Sequence, residues 1–287
     1  MLEGSIVALV TPFTESLNIN FRKLEEMVEL QYMSKTDALL LLGSTSESST
    51  LNEYEKDQIV DCVIKKNDKR MKIIVAVIAN NLTDVIKKGK KYIELGANYL
   101  LLIPPYYVKS NTNGIIKYFK EISSHLDIPL IIYNIPSRVG YNLDIDTIKH
   151  LKKIKNIIGI KESNSDINHI IKVANLCDKK FSLYSGNDEL SYVFLSLGAK
   201  GLINVFGNIC PKAMKNLINI YAINPTLAFK YFQYYYDIFD ALKVEVNPIP
   251  IKALMNYKGY KVGKHRLPLD ELSEKNRNLI ISYYKDW

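Results

Sequence analysis

The chain is poor in the residues that staple or anchor a fold. Only three of its 287 residues are cysteines, Cys62, Cys177 and Cys210. They are far apart, odd in number and lack any CxxC spacing, so neither a disulfide framework nor a zinc site is suggested. They read as free thiols in core or helix positions. Four histidines, His125, His150, His169 and His265, show no HxH or HxxxH spacing, so a metal-free site is expected. No run of 18 or more apolar residues occurs, which leaves no candidate membrane-spanning helix. The opening MLEGSIVALVTPF carries an acidic residue and an early proline where a signal peptide has basic residues and a longer apolar run. A cytosolic location is expected.

What is present in quantity is apolar surface. A chain of 287 residues with 47% hydrophobic content can bury a large core, as two ordinary domains or as one barrel. The net charge of +8 raises the question of a polyanion partner. The distribution answers it: lysines are spread over nearly every helical segment, as in KKGKKY (87–92) and KHLKKIK (149–155), and alternate with the apolar positions of amphipathic faces. Solvated outer helix faces are the expectation, and no nucleic-acid partner.

Short apolar runs recur along the chain: IVALV (6–10), ALLLL (38–42), IIVAV (73–77), YLLLI (99–103), LIIY (130–133), IIGI (157–160), FSLY (181–184) and GLINV (201–205). They are apolar on both faces rather than alternating, as expected of parallel strands covered by helices. Between them lie segments with a period near 3.6, such as Phe21, Leu24, Val28 and Ile115, Tyr118, Phe119, Ile122. Helix signals agree: Asn52 with Glu55 resembles a capping box, Thr83 can cap the following helix, and Pro211 suits a first turn. About eight such units in some 220 residues satisfy either a closed (β/α)8 barrel or an open doubly wound sheet. The count favours the barrel. IVALV also leads into TPFTES, where a dinucleotide-binding sheet would carry GxGxxG. The expected architecture is an α/β (β/α)8 TIM barrel over 1–224 with a C-terminal helical region over 225–287. Tyr231, Tyr234, Tyr235 and Ile238 have helical spacing and read as packing surface or a subunit interface.

In a barrel of this kind chemistry collects at the C-terminal ends of the strands. The residues there are GSTSES (43–48), PPYYVKS (104–110), NIPSRVG (134–140), Lys161 with Glu162, and SGND (185–188). A lysine at the mouth has three readings: an anchor for an anionic ligand, a strand-end residue reaching water, or an amine nucleophile that forms a Schiff base. Desolvation among apolar side chains disfavours the ammonium form and frees the amine for carbonyl attack. Tyr133 closes the neighbouring strand, where its phenol can carry a proton to and from a carbinolamine. Ser44 and Thr45 offer hydroxyls and backbone N–H groups in a glycine-led turn suited to a small carboxylate. Arg138 offers a planar fork for a second one. Together these groups describe a site for condensing carbonyl compounds that carry acid groups.

With GSIVALVTPF (4–13), GSTSES, PPYY, YNIPSRVG (133–140), IIGIKES (157–163), YSGND (184–188), NPIPIK (247–252) and HRLP (265–268) in this order, the chain resembles the pyruvate-dependent class I aldolases, the N-acetylneuraminate lyase family. Within them it resembles the dihydrodipicolinate synthases, over nearly its whole length. The resemblance implies that Lys161 forms a Schiff base with pyruvate and that Tyr133 stabilises the imine and relays protons. Ser44 and Thr45 would bind the pyruvate carboxylate, with Ser44 linking Tyr133 to Tyr107. Tyr107 would come from the neighbouring subunit, so a homo-oligomer, a dimer or a dimer of dimers, is implied. Arg138 would receive the carboxylate of aspartate semialdehyde, and Gly186 and Ile203 would line the pyruvate pocket. No cofactor other than the covalent Schiff base, and no membrane partner, is implied.

Two positions depart from the family pattern. Ser46 stands where the family usually has glycine; if that position needs positive φ, serine costs about 1 kcal/mol or shifts the loop. Lys56 belongs to the positions matching the lysine-effector site, with Ser48, Ser49, Glu53, Asn80, Asp84 and Tyr106, and would repel a cationic effector. Weak or absent inhibition by lysine is therefore expected. The alternatives are a sibling lyase acting on a sugar-derived keto acid such as N-acetylneuraminate or keto-deoxy-gluconate, and a barrel that has lost chemistry and serves as a scaffold.

Overall fold

A computed structural model describes residues 2–284. The elements run β1 (Gly4–Ala8), α1 (Phe21–Met33), β2 (Ala38–Leu41), α2 (Glu53–Asn67), β3 (Lys72–Val77), α3 (Leu82–Leu95), β4 (Tyr99–Leu102) and α4 (Thr112–His125). They continue with β5 (Leu130–Asn134), α5 (Pro136–Val139), α6 (Ile145–Leu151), β6 (Ile157–Glu162), α7 (Ile167–Ala174), β7 (Ser182–Ser185), α8 (Ser191–Ser196), β8 (Gly201–Asn204) and α9 (Pro211–Ile223). Three further helices follow, α10 (Pro225–Ala241), α11 (Ile249–Tyr257) and α12 (Glu274–Ser282). The last three residues of the final segment read as helix, 285–287, lie outside the described residues.

The eight strands are parallel and close in sequence order, with β8 hydrogen-bonded back to β1. This is the (β/α)8 barrel expected from the apolar runs. Alternation along each strand explains why the runs are apolar on both faces. One set of side chains, including Ile6, Ala8, Leu40, Ile74, Leu101, Ile131, Tyr184 and Ile203, fills the barrel interior. Their neighbours, including Val7, Leu39, Leu41, Ile73, Val75, Ile132 and Ile160, face the helices and meet Val28, Val63, Phe119 and Ile148. Each fully buried aliphatic side chain contributes roughly 1.5–3 kcal/mol of transfer free energy.

The helix starts follow local chemistry. The Asn52 side chain accepts from the Glu55 amide while Glu55 reaches back to the Asn52 amide, closing the capping box. Pro211 opens α9, where a missing N–H costs nothing. The cap of α3 differs from the sequence reading: Asn81 occupies it, its side chain accepting from the Thr83 amide. Asparagine caps at least as well as threonine. In the tyrosine-rich α10, Tyr235 and Ile238 are buried, whereas Tyr234 is half exposed.

Candidate active site

The site forms at the C-terminal ends of the strands. Register places Tyr133 of β5 beside Lys161 of β6, and Lys161 beside Tyr184 of β7. β6 is longer than its apolar run: pairing with Tyr133 and Asn134 on one side and Tyr184 and Ser185 on the other carries the strand through Glu162. Lys161 is thus a strand residue, not one that follows the strand. Its side chain is only 6% exposed, and the amine lies 4.0 Å from the centroid of the Tyr133 ring. Space for the lysine stem comes from Gly186, where a Cβ would lie 2.9 Å from Lys161 Cε and 1.9 Å from Ser163 Oγ.

The outward-facing neighbour of Lys161 fixes the strand end from behind. Asn134 Nδ2 donates to both Glu162 carboxylate oxygens at 3.0 and 2.9 Å, the Asn164 amide donates to Oε1 at 2.8 Å, and His169 Nε2 lies 3.4 Å from Oε2. Glu162 is fully buried, so these partners replace the water it loses.

Lys161, Tyr133, Ser44, Thr45, Arg138 and Gly186 line one cavity of about 390 Å³, together with Ser163, Asp188 and Asn247. Ile203 is buried in the barrel interior. Asn247 ties the far rim together: its Nδ2 donates to Thr45 Oγ1 at 2.9 Å, and its carbonyl accepts from Arg138 Nη2 at 2.7 Å. Tyr107 does not enter this cavity. It is 93% exposed at φ +66°, so within one chain the Ser44–Tyr133–Tyr107 relay is not assembled.

The turn after β2 corrects the expectation for Ser46. Residues Ser44–Ser46 form a 3₁₀ turn, and the left-handed residue is Glu47, at φ +56°. Ser46 carries no backbone penalty. Its hydroxyl donates to the Leu9 carbonyl at 2.7 Å, and the Thr11 hydroxyl donates to the Ser46 carbonyl at 2.7 Å, binding the turn to the chain that leaves β1.

Beneath this turn lies a buried ionic cluster that sequence reasoning missed. Glu47 and Lys252 are both fully buried, and Lys252 Nζ donates to Glu47 Oε1 at 2.8 Å and to the Lys264 carbonyl at 2.7 Å. His265 Nδ1 lies 3.3 Å from Glu47 Oε1, and the Arg266 amide donates to Oε2 at 3.2 Å. Burial works against the Glu47 carboxylate, but His265 and Lys252 outweigh it and hold it below the usual range. Asp188 was missed as well. It accepts from the Val205 and Phe206 amides at 3.0 and 2.7 Å, and burial pushes its carboxyl up to about 7, against those bonds and the Lys161 charge.

Of the positions that the resemblance matches to an effector site, all but Glu53 line a second cavity of about 430 Å³, with Ser48, Ser49, Lys56, Asn80, Asp84 and Tyr106 joined there by Lys88. Lys56 and Lys88 both reach Glu53, at 2.8 and 3.1 Å. The three cysteines are unbonded, and burial pushes the Cys62 thiol up to about 11 and that of Cys177 to about 12. Among the described residues no helix is long and apolar enough to cross a membrane. No group of three or more His, Cys, Asp or Glu that could hold a metal ion occurs among them either.

A closed (β/α)8 barrel with a buried lysine and a tyrosine paired at its mouth has the form of an aldolase-type enzyme. The chain belongs to the dihydrodipicolinate synthetase family, whose profile it matches over residues 1–285. It is 41% identical to the 4-hydroxy-tetrahydrodipicolinate synthase of Brachyspira hyodysenteriae over 99% of this chain and 98% of that one. Dihydrodipicolinate synthase from Thermotoga maritima superposes with a TM-score of 0.95 at 34% identity, covering 99% of this chain and 97% of the other. The chloride-inhibited dihydrodipicolinate synthase of Acinetobacter baumannii, solved in complex with pyruvate, superposes with a TM-score of 0.94 at 34% identity, over 99% and 98% of the two chains.

Proposed function

We propose that the protein condenses pyruvate with L-aspartate-4-semialdehyde to 4-hydroxy-tetrahydrodipicolinate, the entry to diaminopimelate and lysine, through a Schiff base on Lys161. The observation that carries this reading is the Lys161 amine, buried at the barrel mouth and set against the Tyr133 ring. The amine attacks the keto carbon of pyruvate and water leaves. Tyr133 carries protons to the departing oxygen and away from the methyl group as the enamine forms. The turn at Ser44 and Thr45 holds the pyruvate carboxylate, and Asn247 fixes the Thr45 hydroxyl. Ile203 and Gly186 bound the pocket. Arg138, held at the rim by the Asn247 carbonyl, receives the carboxylate of the semialdehyde.

Tyr107 reaches the relay of a second copy of the chain, which makes the active form at least a dimer. Its exposure and left-handed backbone support this, because such an aromatic side chain gains burial only against another molecule. Reaction is placed in the cytosol, with pyruvate and the semialdehyde as partners and no resident cofactor. The test is treatment with pyruvate and borohydride followed by mass spectrometry. A reduced adduct on Lys161 together with turnover of the semialdehyde supports the reading, and its absence overturns it. An adduct with turnover of sugar-derived keto acids alone would assign the chain to the sibling lyases. Lysine at millimolar concentration is expected to leave the rate almost unchanged, because Lys56 and Lys88 present two cations to the effector cavity. Strong inhibition in a steady-state assay would refute that expectation.

A further inference from the structure

The turn assigned to the pyruvate carboxylate has a strained joint. Ser44–Ser46 forms one 3₁₀ turn, Ser48–Thr50 forms a second, and Glu47 links them. The Glu47 amide donates to the Ser44 carbonyl at 3.1 Å, and the Glu47 carbonyl accepts from the Thr50 amide and the Thr50 hydroxyl, both at 2.9 Å. This linkage needs a left-handed backbone, φ +56° and ψ +33°, which is costly for a residue that carries a Cβ. Glutamate stands where glycine would take the conformation freely. Strain of this kind persists only where the surroundings over-determine it, and it gathers at ligand clamps.

What over-determines Glu47 comes from the C-terminal region. Its buried carboxylate accepts from Lys252 Nζ of α11 at 2.8 Å and from the Arg266 amide at 3.2 Å, and it faces His265 Nδ1 at 3.3 Å. Lys252 also donates to the Lys264 carbonyl at 2.7 Å, which draws the segment 264–266 over the carboxylate. Arg266 extends the hold. Its Nη1 donates to the carbonyl of Thr50, where the second turn ends, and its guanidinium bonds both Glu55 oxygens in α2 at 2.8 and 2.6 Å. Thr45 is reached from the same region, since Asn247 Nδ2 donates to its hydroxyl.

We propose that Glu47 is a positioning residue for the first substrate: anchored by Lys252, His265 and Arg266, it fixes the orientation of the Ser44 and Thr45 donors and so sets the affinity for pyruvate. This rests on the reading of Ser44 and Thr45 as recipients of the pyruvate carboxylate. Glu47 itself touches neither substrate nor the reacting atoms. The helical region after the barrel is then part of the binding machinery, acting on the turn through one buried carboxylate. Lys161 and Tyr133 lie outside this hold, because the pairing of β5 with β6 sets them side by side. Loosening Glu47 therefore raises the pyruvate concentration the protein needs and spares the step that follows capture.

The test compares the full-length protein with Glu47→Gln, with Glu47→Gln combined with Lys252→Met, and with Thr45→Val. Three quantities are measured: borohydride trapping on Lys161 as a function of pyruvate concentration, kcat and KM with both substrates, and the urea midpoint. Glu47→Gln should raise the half-saturating pyruvate concentration about tenfold, with kcat and the KM for aspartate semialdehyde within about twofold of the unaltered chain. The double variant strands neither charge of the pair, so it decides the matter where Glu47→Gln alone does not fold. It should regain stability without regaining affinity for pyruvate, which a merely structural role would not produce. A half-saturation within twofold of the unaltered chain in the double variant overturns the proposal. So does an equal loss of kcat and of affinity for both substrates, the mark of a general loosening. If Thr45→Val binds pyruvate as tightly as the unaltered chain, the carboxylate reading fails and this inference with it. A weakened Thr45→Val beside an unaffected Glu47→Gln removes only the inference.

Discussion

Two lysines are buried in this barrel, and they are treated in opposite ways. Lys252 has a carboxylate at 2.8 Å, a carbonyl at 2.7 Å and the Phe13 ring 4.5 Å from its amine. Lys161 has the Tyr133 ring and, among the described residues, neither a salt bridge nor a hydrogen bond. The partners of Lys252 pin its amine against Glu47, and so hold the turn at Ser44–Ser46 in place, although burial pulls the Lys252 pKa down. An amine without such partners is free to react. On the proposed reading the same side chain is a strut in one place and a nucleophile in the other, and the difference lies in what surrounds it.

The contrast breaks most sharply at Lys161. Lys161→Ala should abolish the pyruvate adduct and lower turnover by at least about 10³-fold, because a covalent nucleophile has no substitute in the cavity. Its Tm should move little, since no salt bridge or hydrogen bond of Lys161 is broken. Mass spectrometry of the borohydride-treated variant and a thermal melt check both halves. Lys252→Met should do the reverse, leaving Glu47 buried without its principal cation at a cost of about 3–5 kcal/mol, read as a fall in the urea midpoint. Adding Glu47→Gln should recover part of that loss, and the recovery measures how much of the cost was the orphaned charge.

Gly186→Ala sharpens the comparison on the Lys161 side. A Cβ there would push on Lys161 Cε and Ser163 Oγ, and a displacement near 1 Å of a reacting group costs on the order of 10²-fold in rate. The rate of adduct formation should fall by about that factor. An unaltered rate would show that the lysine stem has room to shift.

The two lysines also differ in how far the sequence disclosed them. Lys161 was legible because it follows an apolar run in a chain of eight such runs, and barrels place chemistry at that end. The eight strands were legible for the same reason, since both faces of a parallel barrel strand are buried. Strand ends were less so: β6 extends over Lys161 and Glu162 because of pairing with β5 and β7, which the run itself does not encode. Lys252 stood within NPIPIK, yet its role was invisible, because Glu47 is 205 positions away and His265 lies 218 positions from Glu47. Asp188 was hidden likewise, since its amide partners belong to the turn after β8. Ser46 misled because the motif locates the strained residue only to within one position, and the left-handed backbone falls on Glu47.

Asp188 gives the smallest test and sits between the two cases, a buried carboxylate with backbone donors but no cation in direct contact. Burial raises its carboxyl from 3.8 to about 7, so the folded chain holds a proton that the unfolded chain releases near pH 4. Stability contributed by this group is therefore greatest below pH 4, declines as the pH rises through the window from about 4 to 7, and stays reduced above it. Asp188→Asn cannot ionise and keeps an oxygen for the Val205 and Phe206 amides. Its Tm should exceed that of the unaltered chain by several degrees at pH 8 and converge with it at pH 4. Melts across that range read the difference directly, and a gap that does not change with pH would show that the carboxyl is ionised throughout.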